Sequence, residues 1–205
     1  LSFFLTLEGG EGAGKSTQAR KLAATLQAMG REVVLTREPG GTAGAEAVRA
    51  LLLDPATSLD PLADTLLHFA ARADHVESLI RPALARGAVV ICDRFYDSTM
   101  AYQGYGMGVE LADIAALRRL IGLTPDLTLI LEVSETVSKA RLAKRGTGAD
   151  RYEQMGEAMM RRIAAGFQTI AACEPERCMV IDASGDEGAV FAAILAAVLA
   201  RLPKI

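Results

Sequence analysis

Short runs of apolar residues alternate along this chain with longer stretches in which apolar positions recur every three or four residues. The short runs, Phe3 to Leu7, Glu32 to Thr36, Ala88 to Cys92, Leu127 to Glu132 and Cys178 to Asp182, predict five strands. Between them the spacing predicts helices. The first carries Ala19, Leu22, Ala23, Leu26 and Met29 on one face and stops at Gly30. Ala43 to Leu53 is stopped by Asp54-Pro55, and Asp60-Pro61 supplies a cap and a first-turn proline for a long helix from Leu62. In that helix Leu66, Phe69, Ala70, Ala73 and Val76 form the stripe expected to face the core. Glu110 to Leu120, Ser134 to about Lys144, a stripe from Met155 through Ile170, and Val190 to Leu202 predict the rest. Strands separated throughout by helices imply an α/β fold, a five-stranded parallel sheet with helices on both faces. At 205 residues, without repeat or linker, 1–205 reads as one domain.

Net charge of −3 with both signs interspersed offers no electrostatic footprint for nucleic acid or for an anionic membrane. The start has no basic segment before its apolar run, which ends at Glu8, and the longest uncharged run, Ala189 to Ala200, is too short to span a bilayer. Cys92, Cys173 and Cys178 form no paired motif, which suits a reducing cytoplasm. His68 and His75 lie on one predicted helix with no third ligand, and are expected to be packing or surface residues.

The chemistry begins where the first strand ends. Gly9-Gly10-Glu11-Gly12-Ala13-Gly14-Lys15-Ser16-Thr17 is a phosphate-cradling loop: glycines turn backbone N–H groups inward, Lys15 reaches the β and γ phosphates, and Ser16 offers a hydroxyl to Mg²⁺. A helix N-terminus follows and adds partial positive charge. Arg37-Glu38-Pro39-Gly40-Gly41-Thr42 and Asp93-Arg94 both follow predicted strands, at the sheet edge where open α/β folds bind ligands. Asp93 is the expected second Mg²⁺ contact. Phe95 to Gly106 is dense in hydroxyl, amide and aromatic groups. Phe69 beside Arg72 suits a flat heterocycle as well as it suits packing. Between two helices, Gly146 to Arg151 reads as a flap that carries arginines and excludes water, a short lid over about residues 145–153.

Taken together, the loop through Thr17, the Arg37–Thr42 block, Phe69 to Arg72, Asp93-Arg94-Phe95 through Ser98-Thr99-Met100-Ala101-Tyr102-Gln103-Gly104, and Arg145 to Glu153 resemble bacterial thymidylate kinases, collinearly and over nearly the whole chain. The resemblance implies a P-loop kinase that moves the ATP γ-phosphoryl group to dTMP with Mg²⁺. It implies that Lys15 and Ser16 hold the ATP phosphates and Mg²⁺, that Glu11 reaches the acceptor 3′-hydroxyl, and that Arg94, assisted by Arg37, holds the dTMP phosphate. Phe69 would stack on thymine. Arg72, Thr99 and Gln103 would read the base edge, with Tyr102 and Tyr105 near the sugar. The phosphate loop here carries no arginine, and the resemblance is then to the subtype in which Arg145 and Arg151 supply transition-state charge; which of them stands nearer the γ phosphate is left open. Members of the family are homodimers through helices, and Ala47, Leu51 and Leu52 are apolar enough for either an interface or the core. Two rivals remain at this level: a kinase for another monophosphate, against which the Phe69, Arg72, Thr99 and Gln103 set speaks, and a GTPase-type switch, whose guanine-reading Asn-Lys-x-Asp motif is absent.

Overall fold

The computed structural model describes residues 1–145, 151–152 and 155–203. Five strands, β1 (Phe3–Glu8), β2 (Val33–Arg37), β3 (Val89–Asp93), β4 (Leu127–Glu132) and β5 (Cys178–Asp182), pair in the order β2-β3-β1-β4-β5, every pair parallel. All six residues of β1 are buried, because the central strand is covered on both faces. Side-chain alternation sorts the helices. Leu5, Leu7, Leu129 and Leu131 face α1 (Lys15–Ala28) and, from the far end of the chain, Val190, Ile194 and Val198. Phe4, Val90 and Cys92 face the opposite layer, built by α3 (Pro61–His75) and, between Leu111 and Ile121, Ile114 and Ile121.

α2 (Ala43–Leu53) is capped by Thr42, whose hydroxyl accepts from Ala45 N at 3.2 Å, and Asp60 caps α3 through Leu62 N at 2.9 Å. α3 runs on through a π-helical turn, Val76–Ile80, into α4 (Arg81–Ala85). After β3 come α5 (Tyr96–Thr99) and a second π-helical stretch, Met100–Gly106; α6 (Leu111–Ile121), α7 (Glu135–Arg145), α8 (Glu157–Cys173) and α9 (Glu187–Arg201) complete the described helices. None of the described helices is long and apolar enough to cross a membrane.

β1, β2 and β3 each end one residue past their apolar runs; in β2 and β3 parallel pairing of Arg37 with Asp93 continues the ladder past the last apolar side chain. The larger departure is α3. Leu66, Ala70 and Ala73 of its expected core stripe are exposed, while Asp64, Thr65, Arg72 and His75 are buried. The helix turns its polar side inward because that side closes a polar cleft at the strand ends. Leu52 goes to the core and Leu51 stays exposed.

Candidate active site

The register places Asp93 beside Leu7, so the loops after β1 and β3 are neighbours at the carboxyl edge of the sheet. Gly9 has φ 127°, and a Cβ there would lie 2.3 Å from the carbonyl oxygen of Leu131, so no other residue fits this turn. Gly14, at φ 87°, opens α1 with no side-chain cap and no acidic residue in the first turn, leaving its N–H groups for an anion. Lys15 is buried; its Nζ donates to the carbonyls of Gly9 at 3.1 Å and Gly10 at 2.7 Å. Burial first, and then Arg94, lower its pKa to about 8. The Ser16 hydroxyl donates to the Asp93 carboxylate, which brings the two predicted metal contacts together.

Arg94 stands in the left-handed region, φ 72°. Its guanidinium donates to Gly9 O at 3.0 Å, to Ser98 Oγ at 2.9 Å and to the Tyr102 hydroxyl at 3.3 Å, and it pairs with Glu11. Tyr102 in turn donates to Glu11 at 3.1 Å. Beneath them Glu8, wholly buried, accepts from Phe95 N and Ser98 Oγ; burial, and then Asp97, raise its pKa to about 8.

Two chambers meet at Glu11, Glu38, Arg49 and Arg94. The larger, about 860 Å³, is lined by the phosphate loop from Glu11 to Thr17, by Asp93, and by Arg37 and Arg141. Arg37 is paired there with Glu46 at 3.0 Å rather than with its neighbour Glu38. The smaller chamber is lined by His68, Arg72, Thr99, Tyr102, Gln103 and Tyr152, among others. Arg72, fully buried, donates through Nε to Glu38 at 2.7 Å and through Nη2 to Thr99 at 3.1 Å. Glu38 also meets His75 Nδ1 at 3.0 Å, and the other ring nitrogen of His75 lies 2.7 Å from Thr36, so this histidine braces the loop after β2.

Several expected residues lie elsewhere. Phe69 is not in the smaller chamber: its ring is buried in the α3 layer, with the Arg72 guanidinium 4.6 Å from its centre, and its outer edge lines a surface groove. On a helix, Arg72 shares its face with the residue four positions back, and that residue is His68. Tyr105 packs against Gly166 of α8 and is not among the residues that line the smaller chamber. Arg151 does not reach the phosphate loop; it pairs with buried Asp64. Arg145 closes α7, and its side chain and residues 146–150 and 153–154 of the expected lid lie outside the described residues.

Sequence alone gives His68, Tyr152, Asp64, Arg141 and Ser138 no place in the site, and the structure brings all five to it. His68, whose Nε2 lies 2.9 Å from the Tyr152 hydroxyl, is kept neutral: burial first, and then Arg72, Arg151, Arg94 and Arg49, lower its pKa to about 3. Asp64 accepts from Gln103 and Tyr152, and its i, i+4 spacing to His68 and i, i+8 spacing to Arg72 was the available signal. Arg141 donates to Gly12 O at 3.3 Å, one turn after Ser138, whose hydroxyl donates to Glu11 O at 2.8 Å. Arg141 reads as plain charge complementation at a helix end unless the loop is known to lie against it.

Residues 7–194 match the family model described as thymidylate kinase. The thymidylate kinase of Gluconobacter oxydans (strain 621H) is 53% identical over 199 residues, spanning 95% of this chain and 93% of its own. That of Caulobacter vibrioides is 53% identical over 203 residues, 98% of this chain and 97% of its own. The crystal structure of thymidylate kinase from Ehrlichia chaffeensis is similar with a TM-score of 0.80 at 37% identity, covering 97% of this chain and 98% of that one.

Proposed function

This chain belongs to the thymidylate kinase family, and on that premise we propose that its two chambers hold ATP and dTMP end to end, with their phosphates meeting at Arg94. The reaction is transfer of the γ-phosphoryl group to dTMP, giving dTDP, a step in dTTP biosynthesis. One observation carries the reading: the phosphate-loop chamber and the smaller chamber share Glu11, Glu38, Arg49 and Arg94 as their common wall.

The second pKa of a phosphomonoester is about 6, so at pH 7 roughly nine in ten acceptor molecules are already dianions and no general base is required. What is required is charge compensation and alignment, which contribute about 7–11 kcal/mol in well-oriented reactions. The loop N–H groups and Lys15 take the donor phosphates, Lys15 leaving the Gly9 and Gly10 carbonyls to do so. Arg94, with Arg37 on the same side, holds the acceptor phosphate, and Glu11 the 3′-hydroxyl. Two hard oxygen donors on separate elements, Ser16 and Asp93, fit Mg²⁺ and would hold it. When bound, the ion neutralises charge on the β and γ oxygens. Arg72, Thr99 and Gln103 face the base edge, and the neutral ring of His68, rather than Phe69, forms the wall against the base. Arg145 keeps the transition-state role expected of the lid; Arg151, held on Asp64, is assigned to the acceptor wall.

The enzyme is proposed to work in the cytoplasm as a homodimer. The inverted α3 supports the second point: Leu66, Ala73, Leu117 and Leu120 line an exposed apolar groove across α3 and α6, with Leu120 81% exposed. The function is tested by following ATP-dependent ADP release with dTMP, dCMP, UMP and AMP as acceptors. Turnover with dTMP well above the others is expected; nucleotide binding without acceptor-dependent turnover would refute it.

A further inference from the structure

We propose that Asp64 is a positioning residue for base selection, which turns the Gln103 amide so that its oxygen faces the acceptor base. This rests on the smaller chamber being the base site. Asp64 is fully buried and Gln103 is 1% exposed. Gln103 Nε2 donates to Asp64 Oδ1 at 2.7 Å, and the Tyr152 hydroxyl donates to the same carboxylate from 3.1 Å, with Arg151 on its other oxygen. A carboxylate only accepts, so the amide must offer Asp64 its NH₂ group. The planar amide then directs Oε1 away from Asp64. Gln103 lines the chamber, and among the described residues its Oε1 takes no hydrogen bond.

Across the chamber Arg72 is fixed in the complementary sense. Nε is taken by Glu38 and Nη2 by Thr99, and Nη1, buried, has no partner among the described residues. The wall thus offers one donor and one acceptor. Thymine presents O4, an acceptor, beside N3–H, a donor, and matches both. Cytosine presents its N4 amino donor beside an unprotonated N3 and mismatches both. Arg72 cannot invert its role, since a guanidinium has no acceptor. An amide can, by a half-turn, and Asp64 is what forbids it. Selection against cytosine at N3 therefore depends on a residue that never touches the nucleotide.

The test is the ratio of kcat/KM for dTMP over dCMP in the wild type, Asp64→Ala, Gln103→Leu and the double variant. Asp64→Ala is expected to lower the ratio by about tenfold or more, through a relative gain for dCMP, since an unpaired buried group is what rejects the wrong partner. With Gln103→Leu present, Asp64→Ala should lower it no further. A loss shared equally by both substrates, or effects that multiply in the double variant, would overturn the proposal. Wild-type NMR supplies a readout independent of folding in the variants: the Gln103 side-chain NH₂, assigned by its absence in Gln103→Leu, should exchange slowly and keep its shift when dTMP saturates. A large dTMP-induced shift of that NH₂ would show that it donates to the base and defeat the inference. A wild type that does not prefer dTMP to dCMP would instead remove the reading of the chamber on which it rests.

Discussion

Truncating Arg94 separates the two chambers chemically. Its guanidinium is held at Gly9 O, Ser98 Oγ and Glu11, with 17% of the side chain exposed, so it is already aimed before substrate arrives. A hydrogen bond to a charged group contributes about 1.5–3 kcal/mol, and two from one guanidinium to the acceptor phosphate about 3–6 kcal/mol. Arg94→Ala should therefore lower kcat/KM for dTMP by about 10²–10⁴. ATP affinity should change by no more than about two- to threefold, because the phosphate-binding groups of Lys15, Ser16 and the start of α1 are all retained and losing the Arg94 charge favours protonated Lys15. The fold loses the Glu11 pair, which is partly solvent-screened, while Glu11 keeps the Tyr102 hydroxyl; a cost of about 1 kcal/mol corresponds to about 2–4 °C in Tm. Arg94→Gly relieves the left-handed backbone, which costs a residue with a side chain about 1–2 kcal/mol, so it should be at least as stable as Arg94→Ala and equally inactive. Coupled ADP release under saturating ATP, calorimetric titration with ATP, and thermal melts measure the three quantities. Retention of dTMP kcat/KM within tenfold, or parallel loss of ATP and dTMP binding, would refute this account of Arg94.

Two further outcomes follow from buried charge. With its pKa lowered to about 8, Lys15 is about half neutral at pH 8 in the free enzyme, and a bound triphosphate favours the charged form, so ATP binding at that pH should take up about half a proton. Titrations in buffers of different ionisation enthalpy read this directly; identical apparent enthalpies would contradict it. For His68 the folded pKa, about 3, lies below the ordinary 6.5, so the unfolded chain takes up a proton that the folded one refuses, and this contribution to stability is lost as pH falls from about 6.5 toward 3. His68→Phe should therefore lose less Tm than the wild type between pH 7.5 and pH 5, whatever its absolute stability; equal losses would show that His68 titrates normally.

The local code alone determined a good deal. Apolar runs and helix periodicity placed all five strands, three of them ending one residue later than expected, and put helices on both faces. Glycine spacing identified the phosphate loop, since close backbone approach at Gly9 and left-handed geometry at Gly14 depend on residue type. Strand ends located Arg37, Asp93 and Arg94. All of these are short-range facts, carried by neighbours in the chain.

The acceptor wall was decided only in three dimensions. A helix normally buries its apolar stripe, and by that rule α3 should have hidden Leu66 and Phe69 together. Instead Asp64, Arg72 and His75 point inward, because partners far along the chain, Glu38, Thr99, Gln103 and Tyr152, satisfy their charges and donors there. Burying a polar face is tolerable only when such partners exist, and periodicity carries no information about them. Periodicity places Phe69 in the core stripe, where it lies, and says nothing of His68 or Asp64: their roles are set by contacts between segments that only the closed fold brings together.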